Sequence, residues 1–229
     1  MRTVAAALCV LALGVAARAE EPSAPKTDKD KISYAIGTQM GTSIKDFADD
    51  LDLNVMLKGM QDAVAGKNAM TQAEIRTVMM AFQEKAMAKM KGAAAKAGEK
   101  NQKDGEAFLA ENKKKDGVTE LPSGLQYKVI KEGTGEMPKA SDTVSVHYKG
   151  TVLDGTEFDS SYSRNEPASF QVGGVIPGWT EALQKMKVGS KWQLFIPGKL
   201  AYGEQGRQGS PIGPNSLLIF EVELLSIKK

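Results

Sequence analysis

Two periodicities divide the chain near its middle. From residue 31 to about 90, apolar residues recur every three or four positions: Ile32, Ala35, Ile36 and Met40, then Val55, Met56, Gly59, Met60 and Ala63. That is the spacing of one face of an α-helix. Thr71-Gln72-Ala73-Glu74 has the form of a capping box, in which the threonine and glutamate side chains satisfy orphan N–H groups at a helix start. Ile75, Met79, Phe82, Ala86 and Met90 continue one stripe from it. Beyond Met90 the stripe thins to alanines among Lys, Glu, Gln and Asn, with Gly92, Gly98 and Gly105 as weak points. A helix reaching Lys115 would span about 65 Å at 1.5 Å per residue. So polar an element has nothing to bury against within its own length and reads as a spacer. Lys113-Lys114-Lys115 reads as its solvated end, where cations suit the helix dipole.

From about residue 116 the period changes to two. Leu125, Tyr127 and Val129 alternate with polar residues, as do Val144, Val146 and Tyr148, then Trp192, Leu194 and Ile196, and last Leu218, Phe220, Val222 and Leu224. Turn signals separate these runs at Gly133-Thr134-Gly135, Asp154-Gly155 and Val188-Gly189, the pattern of antiparallel strands. One short helix interrupts them, with Trp179, Leu183 and Met186 on one face and Glu181, Gln184 and Lys185 on the other. The expected fold class is α+β: an all-α dimerisation domain (31–70), a long connecting helix (71–115), and an antiparallel half-barrel sheet wrapped around one short helix (116–229). Some forty residues of short helices do not readily close a core alone, so the apolar face of residues 31–90 is expected to meet a second copy. Methionine's plasticity leaves a rival use open, an adaptable surface for client chains.

Composition sharpens the division. Ten of the 14 aromatic residues lie from Glu120 onward, and eight of the 11 methionines lie between Lys31 and Val118, so the two halves have different interiors. At the start, Arg2, an apolar run from Val4 to Ala17 and Ala17-Arg18-Ala19 follow the plan of a secretory signal peptide. Residues 1–19 are read as that signal and 20–30 as a flexible segment, which implies export. Cleavage would remove Arg2 and Arg18, lowering Lys plus Arg from 30 to 28 against 28 acids. The remaining chain would be formally neutral, and nothing in it suggests nucleic acid, which would need a clustered basic face. Cys9, the single cysteine, would leave with the signal, so no disulfide is expected.

The catalytic inventory is sparse. His147 is the only histidine; it shares a strand face with Ser145 and Lys149 and reads as an exposed strand residue. Without a second histidine or a retained cysteine, Cys-His chemistry is excluded and a typical zinc site is disfavoured. Glu157 and Asp159 fall on one face under strict alternation, with no opposing pair for a glycosidase. Gly203-Glu204-Gln205-Gly206 lacks the Lys-Ser/Thr of a phosphate loop. What remains is a set of aromatics from separate segments, Tyr148, Phe158, Phe170, Trp179, Tyr202 and Phe220, which reads equally as core or as a basin. Trp179 is the odd member, an indole in the first turn of its helix rather than at the middle.

Val146-His147-Tyr148-Lys149-Gly150, Gly155-Thr156-Glu157-Phe158-Asp159-Ser160-Ser161, Val175-Ile176-Pro177-Gly178-Trp179 and Ala201-Tyr202-Gly203 resemble, in order and spacing, the successive signatures of the FKBP-type peptidyl-prolyl cis-trans isomerases. The first half, with Tyr34-Ala35-Ile36-Gly37 and the long arm, is similar to the N-terminal part of the bacterial macrophage infectivity potentiator group, exported V-shaped dimers. The resemblance implies that Trp179 floors a proline pocket walled by Tyr148, Phe158, Phe170 and Phe220, with Val175 and Ile176 at its edge. It implies that the Ile176 N–H and the Tyr202 hydroxyl bond substrate carbonyls. Asp159 would be the one buried carboxylate, held by Tyr148 and facing the twisting amide, and Ile212 would cover the mouth. Arg207 falls where many eukaryotic members carry histidine, in a loop one residue longer.

Such an enzyme needs neither cofactor nor metal, because no bond is broken. A prolyl bond crosses a barrier of about 18–20 kcal/mol set by amide resonance, and a dry apolar pocket withdraws the water that favours the planar, polar form. The expected partners are proline-containing unfolded or exported polypeptides, a second copy, and macrolide ligands of the family. The expected location is the periplasm, with surface attachment or release left open. The alternative function is a dimeric holdase chaperone in which isomerisation is secondary.

Overall fold

The computed structural model describes residues 24–228; the expected signal sequence lies outside the described residues. The chain divides into two compact units between Arg76 and Thr77.

In the first unit α1 (Asp28–Ile44) begins at a capping box that sequence reading passed over. Asp30 N–H donates to the Thr27 hydroxyl and Thr27 N–H to the Asp30 carboxylate. A 3-10 turn (Lys45–Asp50) leads to α2 (Leu53–Val64), capped by the Asp52 carboxylate, which accepts from Asn54 N–H and Val55 N–H. Neither helix buries a residue. Ile32, Tyr34, Ile36, Leu53, Val55 and Leu57 are all at least half exposed, and the Cα faces of Gly37 and Gly41 meet open space. Both helices therefore carry apolar surface with nothing over it.

α3 (Gln72–Asn112) starts where Thr71 and Glu74 cap one another. Its 41 residues make a rod about 60 Å long. The expectation of a spacer without a partner along its own length is corrected for its second half. Gly98, Gly105 and Asn112 are its buried residues, seven positions apart and so on one side of the helix. A Cβ at Gly98 would stand 3.1 Å from Pro214 Cβ, and one at Gly105 3.2 Å from Leu217 Cβ. Asn101 Nδ2 donates to the Pro214 carbonyl (2.9 Å), and Phe108 packs on Phe195 with ring centroids 5.7 Å apart. Gln126, fully buried, donates to the Leu109 carbonyl (2.9 Å) and accepts from Asn112 (3.0 Å). These glycines are points of close approach rather than weak points.

The rest of the second unit is a sheet of seven antiparallel strands: β1 (Val118–Glu120), β2 (Gln126–Lys131), β3 (Thr143–Val152), β4 (Glu157–Ser160), β5 (Ala168–Gln171), β6 (Lys191–Ile196) and β7 (Leu218–Lys228), in the order β1-β2-β6-β7-β3-β4 with β5 also on β3. β3 pairs along one edge with β7 and shares the other between β4 and β5. Its period-two pattern puts Val144, Val146 and Tyr148 inside and leaves Ser145, His147 and Lys149 partly or fully exposed. α4 (Pro177–Leu183), with proline in its first turn, presents Trp179 and Leu183 to a core that also holds Met186, Leu194, Ile196, Leu218, Val222 and Leu224. The described architecture is α+β, helices first and an antiparallel sheet over one short helix after them.

Candidate active site

Three local features, two in the sheet and one at the start of α4, make room for a cavity. The first is Gly150 on β3, where a Cβ would lie 2.6 Å from both Phe158 Cζ and Phe220 Cε1. The absent side chain lets two phenyl rings converge. The second is a bulge in β4: Glu157 pairs with Thr151 and Asp159 with Gly150, so Phe158 has no partner across the ladder. An inserted residue re-aims its neighbours, and here both Phe158 and Asp159 line the cavity. Strict alternation would have sent them to opposite faces and put Asp159 with Glu157. Glu157 instead turns outward to Lys149 (3.2 Å). The third is the start of α4, which carries Ile176 just ahead of the helix and Trp179 within its first turn.

The result is a cavity of about 520 Å³ lined by Tyr148, Phe158, Asp159, Phe170, Val175, Ile176, Trp179, Tyr202, Arg207 and Phe220. Trp179 is its hub. Its ring meets those of Tyr148, Phe170 and Phe220 edge-on at 5.3, 5.7 and 5.2 Å, and Phe158 meets Phe220 the same way at 5.4 Å. Edge-to-face packing at these distances stabilises each ring pair and holds the walls open. The hydrogen-bond donors at this surface without an acceptor among the described residues include the buried Trp179 Nε1–H, the Ile176 N–H and the Tyr202 hydroxyl.

Electrostatics centre on Asp159. The Tyr148 hydroxyl donates to Asp159 Oδ2 (2.6 Å), Arg164 Nη1 donates to Asp159 Oδ1 (2.6 Å), and Arg164 Nη2 donates to the Tyr148 oxygen (3.0 Å). Burial opposes charge on Asp159, but the hydrogen bonds from Tyr148 and Arg164 and the guanidinium charge outweigh it, so the carboxyl sits below its usual range. Burial, then the bond to Asp159, pushes the Tyr148 phenol above its ordinary value. At neutral pH the trio is a neutral phenol, a carboxylate and a guanidinium, with no net charge.

Two expectations about single residues are corrected here. Asp159 is not fully buried: its side chain keeps 32% of its exposure, and its partner Arg164 is itself half exposed. Ile212 does not cover the mouth. It is 2% exposed and belongs to the core cluster, since an apolar side chain on a tight loop turns inward when the core has room for it. The loop residue that reaches the cavity is Arg207. Arg164 went unread in the sequence; its only signal was a cation five residues beyond Asp159. His147 is half-buried, with Nδ1 3.0 Å from the Ser161 hydroxyl and its ring stacked on Tyr162 at 4.8 Å, outside the cavity. No cluster that could hold a metal ion occurs among the described residues.

Known proteins match both halves. Residues 134–225 match the model of the FKBP-type peptidyl-prolyl cis-trans isomerase, and residues 29–129 that of the domain amino-terminal to it. The outer membrane protein MIP of Legionella longbeachae is 48% identical over 230 residues, covering 100% of this chain and 98% of its own. The chain belongs to the FKBP-type peptidyl-prolyl cis-trans isomerases. FkpA of Escherichia coli K12, a peptidyl-prolyl cis-trans isomerase of this type, is 41% identical over 93% of this chain and 81% of its own. The crystal structure of Escherichia coli FkpA superposes with a TM-score of 0.69, at 41% identity, over 89% of this chain and 98% of that one. This FKBP-type chain is a peptidyl-prolyl isomerase, with the helical region and sheet domain arranged in the same order as in FkpA.

Proposed function

We propose that the prolyl bond turns in the aromatic cavity floored by Trp179. The observation that carries this reading is the pairing of apolar walls with unpartnered donors. The Ile176 N–H and Tyr202 hydroxyl stand ready for two backbone carbonyls of a bound chain, while Phe158, Phe170 and Phe220 exclude water from the imide between them. A planar amide is the more polar form, so a dry site favours the twisted one. Each ~1.4 kcal/mol by which the cavity prefers the twisted form over the planar one speeds rotation tenfold. Asp159, ionised and fixed by Tyr148 and Arg164, supplies an oriented charge at the wall without exchanging a proton. Tyr148, Phe158, Asp159, Ile176, Trp179 and Tyr202 act on the turning bond, and Phe170, Val175 and Phe220 seat the substrate.

The same reading assigns residues 31–70 to dimerisation, 71–115 to the connecting helix and 116–229 to catalysis. The clients are exported, proline-containing polypeptides in the periplasm. The apolar faces of α1 and α2, which bury nothing within the chain, favour a homodimer through residues 31–90. The exposed Met79, Met80, Met87 and Met90 of α3 favour a second role in holding unfolded chains. Phe158→Ala and Asp159→Ala separate the two. Peptide isomerisation is expected to collapse in both variants while suppression of aggregation persists. Isomerisation that survives both changes would remove the cavity from the chemistry.

A further inference from the structure

We infer that Arg207 sets the substrate preference of this isomerase by pairing with a carboxylate on a residue flanking the proline. The inference rests on the cavity being the substrate site. Among the charged residues that line it, Asp159 is matched by Arg164. Arg207 brings a second cation with no carboxylate partner among the described residues. Glu204, the acid on the same loop, lines a separate cavity against α3. The rim therefore carries one uncompensated positive charge beside an apolar basin, and an acidic side chain next to a bound proline would meet it.

The position of that charge is built in. The Arg207 guanidinium lies 6.0 Å above the Tyr202 ring, which keeps its N–H edges free for a two-pronged contact with a carboxylate. The Arg207 backbone N–H donates to the Ile212 carbonyl (2.8 Å), and Asn215 N–H closes the loop base on the Gly203 carbonyl (2.7 Å). Gly206 permits the turn between them: its φ is +62°, and a Cβ there would stand 2.6 Å from the Ile212 oxygen and the Gly213 carbonyl carbon. On the outer side α3 fixes the loop through Asn101 and the Pro214 carbonyl (2.9 Å). A cation held by its backbone loses less freedom on binding than one on a free loop. Exposed ion pairs are weak, so the expected effect is roughly two- to fivefold.

The test is kcat/KM for otherwise identical Glu-Pro, Pro-Glu and Leu-Pro peptides with the full-length wild type, Arg207→Gln and Arg207→Lys. The ratio of acidic to Leu-Pro turnover is expected to fall two- to fivefold in Arg207→Gln and to recover in part in Arg207→Lys. Raising salt to about 1 M, where the Debye length is near 3 Å, is expected to erode the wild-type ratio by the same factor. A ratio that is equal in wild type and Arg207→Gln for both acidic peptides, or a difference insensitive to salt, overturns the inference. Leu-Pro keeps the two levels apart. If Asp159→Ala turns it over as fast as wild type, the cavity reading fails; if Asp159→Ala is slow and the ratio does not move, only the role of Arg207 fails.

Discussion

Replacing Tyr148 by phenylalanine removes one oxygen from the wall and nothing else. The ring would keep its edge contacts with Trp179 (5.3 Å) and Phe170 (5.8 Å). The hydroxyl it loses donates to Asp159 at 2.6 Å and accepts from Arg164 at 3.0 Å. A hydrogen bond to a charged group contributes about 1.5–3 kcal/mol when water cannot replace it. The Asp159 side chain is 32% exposed, so water restores part of that, and the expected loss of stability is about 1 kcal/mol, below that range. If the bond also orients the carboxylate toward the substrate, a comparable loss in the transition state lowers kcat/KM about fivefold. The Asp159 carboxyl, deprived of one of its donors, is expected to titrate closer to its ordinary value. Urea denaturation, a protease-coupled assay with a Leu-Pro peptide and carbon-detected NMR titration of Asp159 read the three effects. An Asp159 titration identical in the variant would show that the bond contributes nothing. A raised titration with unchanged turnover would show that the carboxylate's orientation is irrelevant to catalysis.

Leucine at Gly105, whose Cβ would already stand 3.2 Å from Leu217, is expected to destabilise the protein by about 1–3 kcal/mol relative to leucine at Gly92, which faces open space; equal denaturation midpoints would mean that α3 does not dock. Isomerase activity is expected to be level between about pH 5 and pH 9, because the lowered Asp159 and raised Tyr148 both keep one charge state across that window. The stability supplied by Asp159 is present above its unfolded pKa of about 4 and is lost as pH falls through the lower folded value. That of Tyr148 is present below about pH 10 and lost as pH rises through its higher folded value. A titration of activity centred near pH 7 would contradict both assignments.

How much of this was legible depends on what each stretch of sequence encodes. Alternation located the strands and sent Tyr148 inward because each β-residue has two possible faces and only one is dry. The same rule misread Asp159, since a bulge is a register event between two strands and leaves no mark within either. The stripe of α3 was followed only while it was made of Ile, Met and Phe. Its continuation through Gly98, Asn101, Gly105, Phe108 and Asn112 keeps helical spacing, but its contacts are made by missing side chains and by amides, which hydropathy does not register. Ile212 was placed at the mouth by the family resemblance, but it sits in a loop, where burial depends on how the loop closes rather than on the residue. Arg164 could be named as the partner of Asp159 only once the turn after β4 was known to fold back over it.

The assignment on which the rest depends is that the bond turns against Trp179. It is tested most directly by NMR with labelled full-length protein and a Leu-Pro peptide, recording peptide exchange and protein shifts in one sample. Cis–trans exchange is expected to be accelerated by the wild type, with the Trp179 indole N–H and the Ile176 amide moving as peptide is added, and the acceleration is expected to be lost in Asp159→Ala. Accelerated exchange with those two signals unmoved would place the chemistry elsewhere in the chain.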